Sequence, residues 1–118
     1  MTRRLGDIGE NIAADYLLRC SWIILERNYY SRYGEIDIIA KNGDSLVFVE
    51  VKHYHPKRWV HPLEAMTIKK QRCLLRTAHH FLQHHIEGVP DYQFDLIIVE
   101  NGSIHDHIVA MSINDLLS

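Results

Sequence analysis

The sequence predicts an α/β fold: one domain over residues 1–118, a mixed sheet with helices packed against it, in the order α-β-β-β-α-β-β. Three observations carry that expectation. Apolar residues recur at helical spacing in two well-separated stretches. Short runs rich in Val, Ile, Phe and Tyr, of strand length, precede and follow the second of these. Two Asn-Gly pairs, Asn42-Gly43 and Asn101-Gly102, sit between such runs as hairpin turns do.

The first helix is expected over residues 4–20, where Leu5, Ile8, Ile12, Tyr16 and Cys20 mark an apolar stripe. "WIILERN", Trp22 to Asn28, reads as a strand. "EIDIIAK" and "SLVFVEVK" are strands around the Asn42-Gly43 turn. "HYHPKRWVHP", His53 to Pro62, reads as a loop. A long helix follows from Leu63 to Ile86, closed by Gly88 and Pro90. "YQFDLIIVE" is a strand, and Asn101-Gly102 turns the chain into "SIHDHIVAM".

Length and composition bound the function. A chain of 118 residues with 47% hydrophobic content can build one core. A formal net charge of -2 excludes a uniformly basic polyanion binder, so nucleic-acid contact requires a local patch. Cys20 and Cys73 lie in unlike contexts and read as small core residues in a reducing compartment. "MTRRLGDIGENIA" lacks the apolar run of a signal peptide, and no stretch reaches 18 uninterrupted apolar residues. The expectation is a soluble, cytoplasmic protein.

The chemistry concentrates in "GEIDIIAKNGDSLVFVEVK", Gly34 to Lys52, where Glu35, Asp37, Glu50 and Lys52 interrupt two apolar strands. Charges in a half-buried sheet are costly unless paired or bound. With Asn42 and Gly43 central in a type I′ turn, Lys41 pairs with Asp44 and Asp37 faces Phe48. Residues two apart share a face, so Asp37, Glu50, Lys52 and Glu35 project together, and Asp37 and Glu50 are diagonal neighbours about 7–8 Å apart. Two converging carboxylates repel unless a cation lies between them or one is protonated. Mg²⁺ or Mn²⁺, which take oxygen ligands, meet that need, and Lys52 would lie beside an attacking water or a phosphate. An E-x-K pair alone is a weak signal, because surface ion pairs are common and contribute little. Asp37 in matching register strengthens it.

Two residues outside the hairpin point to the same place. Glu10 edges the first helix's stripe, on a ridge with Ala13, Ala14 and Leu17 small enough to approach the sheet closely; a solvent-facing glutamate is the alternative. Lys70 falls within the long helix's stripe of Leu63, Met66, Cys73, Leu74, Thr77 and Phe81. There it must snorkel or meet an anion.

These residues, in this order, resemble the YraN-like family of small bacterial proteins. That family looks like a branch of the PD-(D/E)XK nuclease superfamily, with a restriction endonuclease-like core shared with archaeal Holliday-junction resolvases. The resemblance runs from "GDIGENIAADYLL" through "GEIDIIAKNGDSLVFVEVK" and "PLEAMTIKKQRCLLRTAHHFL" to "FDLIIVE". It implies a metal-dependent endonuclease acting on DNA, of branched or structured form, with Mg²⁺ or Mn²⁺ as cofactor. Position by position, Asp37 matches the metal aspartate, Glu50 and Lys52 the E-x-K pair, Glu10 the first-helix acid, and Lys70 the basic residue of the following helix. Asp37, Glu50 and the Val51 carbonyl would bind the ion, with Glu10 completing or supporting the set. Lys52 would position water, and Lys70 would contact a phosphate or orient a carboxylate. Related nucleases often act as dimers, and a two-strand cut by a site of this size implies two protomers; a separate protein partner would deliver substrate. The chain departs from the family pattern at His53 and Tyr54 after the E-x-K, at His61 before Pro62, and at Gln93.

Other constellations compete. Lys57 and Arg58, among Tyr54 and Trp59, would hold phosphates and stack on bases; a mobile loop whose Trp59 packs on the core is the alternative. Lys69, Arg72 and Arg76 read as a solvated helix face. His80 and His84 have an i, i+4 metal-ligand spacing but lack further ligands nearby in sequence, which favours an exposed helix end over a zinc site. His105 and His107 read as a solvent-facing or interface side of the last strand. The rival functions are a non-enzymatic DNA-binding or protein-interaction module on a nuclease scaffold, and a zinc module built on His80 and His84.

Overall fold

The computed structural model describes residues 2–54, 57, 62–88 and 90–113, residues 2–7 by backbone alone. Helix α1 spans Thr2–Arg19. Strands β1 (Ile23–Ser31), β2 (Gly34–Asn42) and β3 (Ser45–His53) follow. A 3₁₀ turn at Pro62–Ala65 leads into α2 (Ile68–His85), and β4 (Tyr92–Glu100) and β5 (Ser103–Ile108) end the described chain. Among the described residues the strands form one sheet in the order β1-β2-β3-β4-β5. Every neighbouring pair is antiparallel except β3 and β4, which run parallel with α2 as their crossover. The predicted α/β order and mixed sheet are therefore observed. No helix among the described residues is long and apolar enough to cross a membrane.

The helices take opposite faces. Ala13, Ala14 and Leu17 of α1 pack on Ile38, Ala40, Val47, Val49, Ile97 and Val99. Leu74, Ala78 and Phe81 of α2 pack on Ile36, Ile39, Leu46, Phe48 and Phe94. Strands β2 to β4 are covered on both sides, which is why "VFV" and "LIIV" carry no polar alternation.

Three expectations are corrected here. The α1 stripe drawn through Ile8 and Cys20 is not the buried one: Ile8 is 48% exposed and Cys20 is exposed. The ridge of small residues is buried instead, because a short side chain lets the helix axis approach the sheet. At Gly9 an added Cβ would sit 2.5 Å from the His53 ring. The long helix does not begin at Leu63. Thr67 accepts a hydrogen bond from the Lys70 N–H at 3.2 Å, and this N-cap starts α2 anew after the 3₁₀ turn. Finally, His107 does not face solvent. Its Nε2 lies 2.7 Å from Oδ2 of the fully buried Asp95 and its Nδ1 2.8 Å from the Tyr16 hydroxyl, tying β5 and β4 to α1.

The β2–β3 turn is shifted by one residue. Asn42 pairs with Ser45, so Gly43 and Asp44 form the loop, and Gly43 at φ +61° takes the first central position as a type II′ turn requires. The predicted pairing Ile39–Leu46 becomes Ile39–Phe48, a register displaced by two. Because side chains alternate with period two, that displacement leaves Leu46, Phe48 and Ile39 on one face as expected, whereas the alternation breaks around Asp37: Ile36 packs with the α2 core and Ile38 with the α1 core.

Candidate active site

The β2–β3 ladder is paired as far as Ile38–Val49 and then opens. Upstream of that point β2 stays with β1 through Ile36, Glu35 and Gly34. β3 stays with β4 through Glu50, Val51 and Lys52. Continued without a break, the register would set Asp37 opposite Glu50, not diagonal to it. In the opening, Asp37 Oδ2 accepts a hydrogen bond from the Val51 N–H at 2.7 Å, taking the place of a missing main-chain partner. An extended residue directs its carbonyl to the same strand edge as its N–H, so the Val51 carbonyl also borders the gap.

Asp37, Glu50 and Lys52 share the α2 face with Phe48 and Ile39, as expected. They line a cleft of about 590 Å³ with Tyr33, Glu35, Lys69, Lys70 and Cys73. Burial first, and then the Glu50 carboxylate that hydrogen-bonds to it, push Asp37 up to about 8; the Val51 N–H and Lys52 pull the other way. Asp37 thus keeps a proton beside Glu50 that a cation would displace. Burial, and then Lys52 beside it, lower Lys70, while Glu50 and Asp37 oppose that change. Lys70 thus lines the cleft beside the acidic pair, where desolvation and Lys52 outweigh the attraction of the two carboxylates.

Glu10 is placed differently. It is buried on the α1 side, where its Oε1 accepts from Arg27 Nε at 3.0 Å, and it does not line the cleft. Arg27 pairs with Ile38, whose side chain belongs to the α1 core, so this ion pair lies across the sheet from Lys70. Glu10, expected to complete or support the metal set, is placed instead in an ion pair that anchors α1 to β1. Lys57 is exposed and does not line the cleft, and Arg58 lies outside the described residues.

The ligand set fits only a cation content with few protein oxygens. Among the described residues no three His, Cys, Asp or Glu side chains converge. Two carboxylates and a main-chain carbonyl match Mg²⁺ or Mn²⁺, which keep several waters, and do not match a structural zinc. His80 and His84 do not form one either. Their rings stack at 4.1 Å, with His80 Nδ1 on the Tyr29 hydroxyl and His84 Nδ1 on the His80 carbonyl.

Sequence reasoning missed Asp95. It is fully buried, with Oδ1 accepting from the Gln93 side chain and the Ala110 N–H, each at 2.9 Å. The signal was an aspartate inside the apolar run "FDLIIVE". It faces α1, and its bonds are structural.

Fold and cleft together define a small α/β protein with an acid–lysine cleft where its central strands part. The chain belongs to the UPF0102 family: the family described as "Uncharacterised protein family UPF0102" matches residues 9–99. It is 42% identical over 113 residues to a UPF0102 protein of Chloroflexus aurantiacus, covering 92% of each chain. It is 44% identical over 102 residues to one of Symbiobacterium thermophilum, covering 86% of each. With one of Syntrophomonas wolfei it shares 41% over 112 residues, covering 92% of this chain and 97% of the relative.

Proposed function

We propose that this protein is a metal-dependent endonuclease that hydrolyses phosphodiester bonds of DNA, on a restriction endonuclease-like core of the PD-(D/E)XK type. The observation that carries the reading is the Asp37–Glu50 pair in the β2–β3 opening, with Lys52 and Lys70 beside it. A bound Mg²⁺ or Mn²⁺ would supply Lewis-acid polarisation of the phosphate and an activated water.

The chain's own residues do the rest. Asp37, Glu50 and the Val51 carbonyl would hold the cation, and the Val51 N–H hydrogen-bonds to the Asp37 carboxylate. Lys52 follows Glu50 by two residues on the same face. It positions the attacking water and stabilises the negative charge that develops on the phosphoryl oxygens. Lys70, partly desolvated, binds a non-bridging phosphate oxygen from the α2 side. Glu35, Asp37 and Glu50 roughly balance Lys52, Lys69 and Lys70. The cleft therefore becomes attractive to a phosphodiester only when its carboxylates are neutralised.

The test is cleavage of branched, flapped and single-stranded DNA with Mg²⁺ or Mn²⁺, comparing the native protein with Asp37→Asn and Lys52→Ala. Metal-dependent cutting lost in both variants supports the reading. Binding without cutting under any divalent cation, unaffected by Lys52→Ala, would establish a binding module on a nuclease scaffold instead.

A further inference from the structure

We propose that Arg32, Tyr33, Arg76, His79, His80 and His84 form a binding groove for an unpaired nucleic-acid strand, continuous with the acidic cleft through Tyr33. This extends the nuclease reading by naming the form of the strand, and it is tested without cutting.

The groove is built by a hairpin tip fastened to a helix. Ser31 pairs with Gly34, so Arg32 and Tyr33 are the two loop residues between β1 and β2. The Ser31 hydroxyl lies 3.0 Å from that of Thr77 on α2, and the Tyr33 N–H donates to the Ser31 Oγ at 3.0 Å. Gly34, at φ +149°, brings the backbone against Cys73 and Thr77. The tip is therefore held beside Arg76, one residue before Thr77.

Two guanidinium groups gather on one ring. The Arg32 Cζ lies 5.0 Å from the Tyr33 ring centroid and that of Arg76 5.8 Å, and Arg32 Nη2 donates to the Tyr33 hydroxyl at 2.8 Å. Among the described residues no carboxylate lines this groove of about 840 Å³. Among the described residues neither arginine is paired with an acid. Like charges held together in this way are relieved by a polyanion, and planar guanidinium groups suit phosphate oxygens.

The floor decides the form of the strand. The Tyr33 ring and the exposed His84 ring, which stacks on His80, offer aromatic surface to unstacked bases, which a paired duplex keeps inside its helix. Tyr33 lines both the groove and the cleft, so a strand crossing it would reach Asp37, Glu50 and Lys52.

The experiment is fluorescence anisotropy with a labelled oligothymidylate, without metal and in an Asp37→Asn background, through a salt titration. The double variant Arg32→Ala/Arg76→Ala should weaken binding by about tenfold or more and flatten the log–log salt slope by about 1.4, two contacts on a single strand. Tyr33→Ala should weaken binding with the slope unchanged, and Tyr33→Phe should not. Arg19→Ala, a cation at the end of α1, should have no effect. Both groove arginines are exposed; if the double variant does not fold, single Arg32→Gln and Arg76→Gln variants replace it. Unchanged affinity in these variants, an equal loss in Arg19→Ala, or equally tight binding of duplex would overturn the proposal. Strand binding in the groove with no cutting leaves it standing while the nuclease reading falls. Cutting with an unchanged KM in the arginine variants does the reverse.

Discussion

The Oδ2 of Asp37 and the backbone N of Val51 stand 2.7 Å apart, at the point where β2 leaves β3. That bond fixes the carboxylate beside Glu50 in a site that, without a cation, keeps a proton. Asp37→Asn keeps an acceptor for Val51 and gives Glu50 a donor. At pH 8 without metal the variant should be more stable than the native protein by about 1 kcal/mol, as substitutions relieving a strained functional site commonly are. It should lose the rise in melting temperature produced by Mn²⁺. Thermal denaturation with and without Mn²⁺ checks both.

The same pair sets a pH dependence. Asp37 holds its proton up to about 8 in the folded protein and releases it near 3.8 when unfolded. Between those values the folded state binds more protons, so stability falls as pH rises. This contribution is fully present below pH 3.8 and gone above pH 8. Added Mn²⁺ competes with the proton, so its stabilising effect should grow from pH 6 to pH 8. Melting curves over that range should show both trends, and neither in Asp37→Asn.

Lys52→Ala should lower the cleavage rate by about 100-fold or more, the usual effect of losing a donor aimed at developing charge. Metal affinity and DNA affinity should change little, because the interaction strengthens only in the transition state. Single-turnover rates set against anisotropy binding curves separate the two.

Arg27→Met should cost about 2 kcal/mol in a urea titration, since it strands the buried Glu10 carboxylate. The figure lies below that of a fully buried pair because the Arg27 side chain is 39% exposed. Glu10→Gln should cost less, and in both variants Mn²⁺ affinity should persist. A Glu10→Gln protein of native stability that no longer binds Mn²⁺ would return Glu10 to the metal site.

His107→Ala should cost about 2–4 kcal/mol, because Asp95 Oδ2 loses its partner in a dry environment and Tyr16 loses a hydrogen bond. Denaturant titration measures the loss. Cleavage per folded molecule should be unchanged.

These residues also show what can be read from the chain alone. The face shared by Asp37, Glu50 and Lys52 survived an error in the turn because the error in pairing was an even number of residues. Lys70 was legible as a cleft residue because an ammonium inside an apolar stripe is costly and stands out from its neighbours. The α1 surface was misread because hydrophobicity ranks Ile8 above Ala13, whereas close approach to a sheet selects small side chains. Arg32 and Arg76 are 44 positions apart, and only the Ser31–Thr77 contact brings them onto Tyr33. No periodicity within either segment encodes that meeting.

The opposed placement of α1 and α2 has a consequence for the cell. Damage beneath α1, at Glu10, Arg27, Asp95 or His107, acts through folding equilibrium, so such alleles should appear as lowered protein abundance and respond to temperature or chaperone supply. Lesions beneath α2, at Asp37, Lys52 or Lys70, should leave abundance intact, and under the proposed nuclease function they should yield a full-length protein without activity. A saturation library scored for abundance and for phenotype should therefore separate these two sets of polar residues, while the apolar core under α2 behaves like the first set.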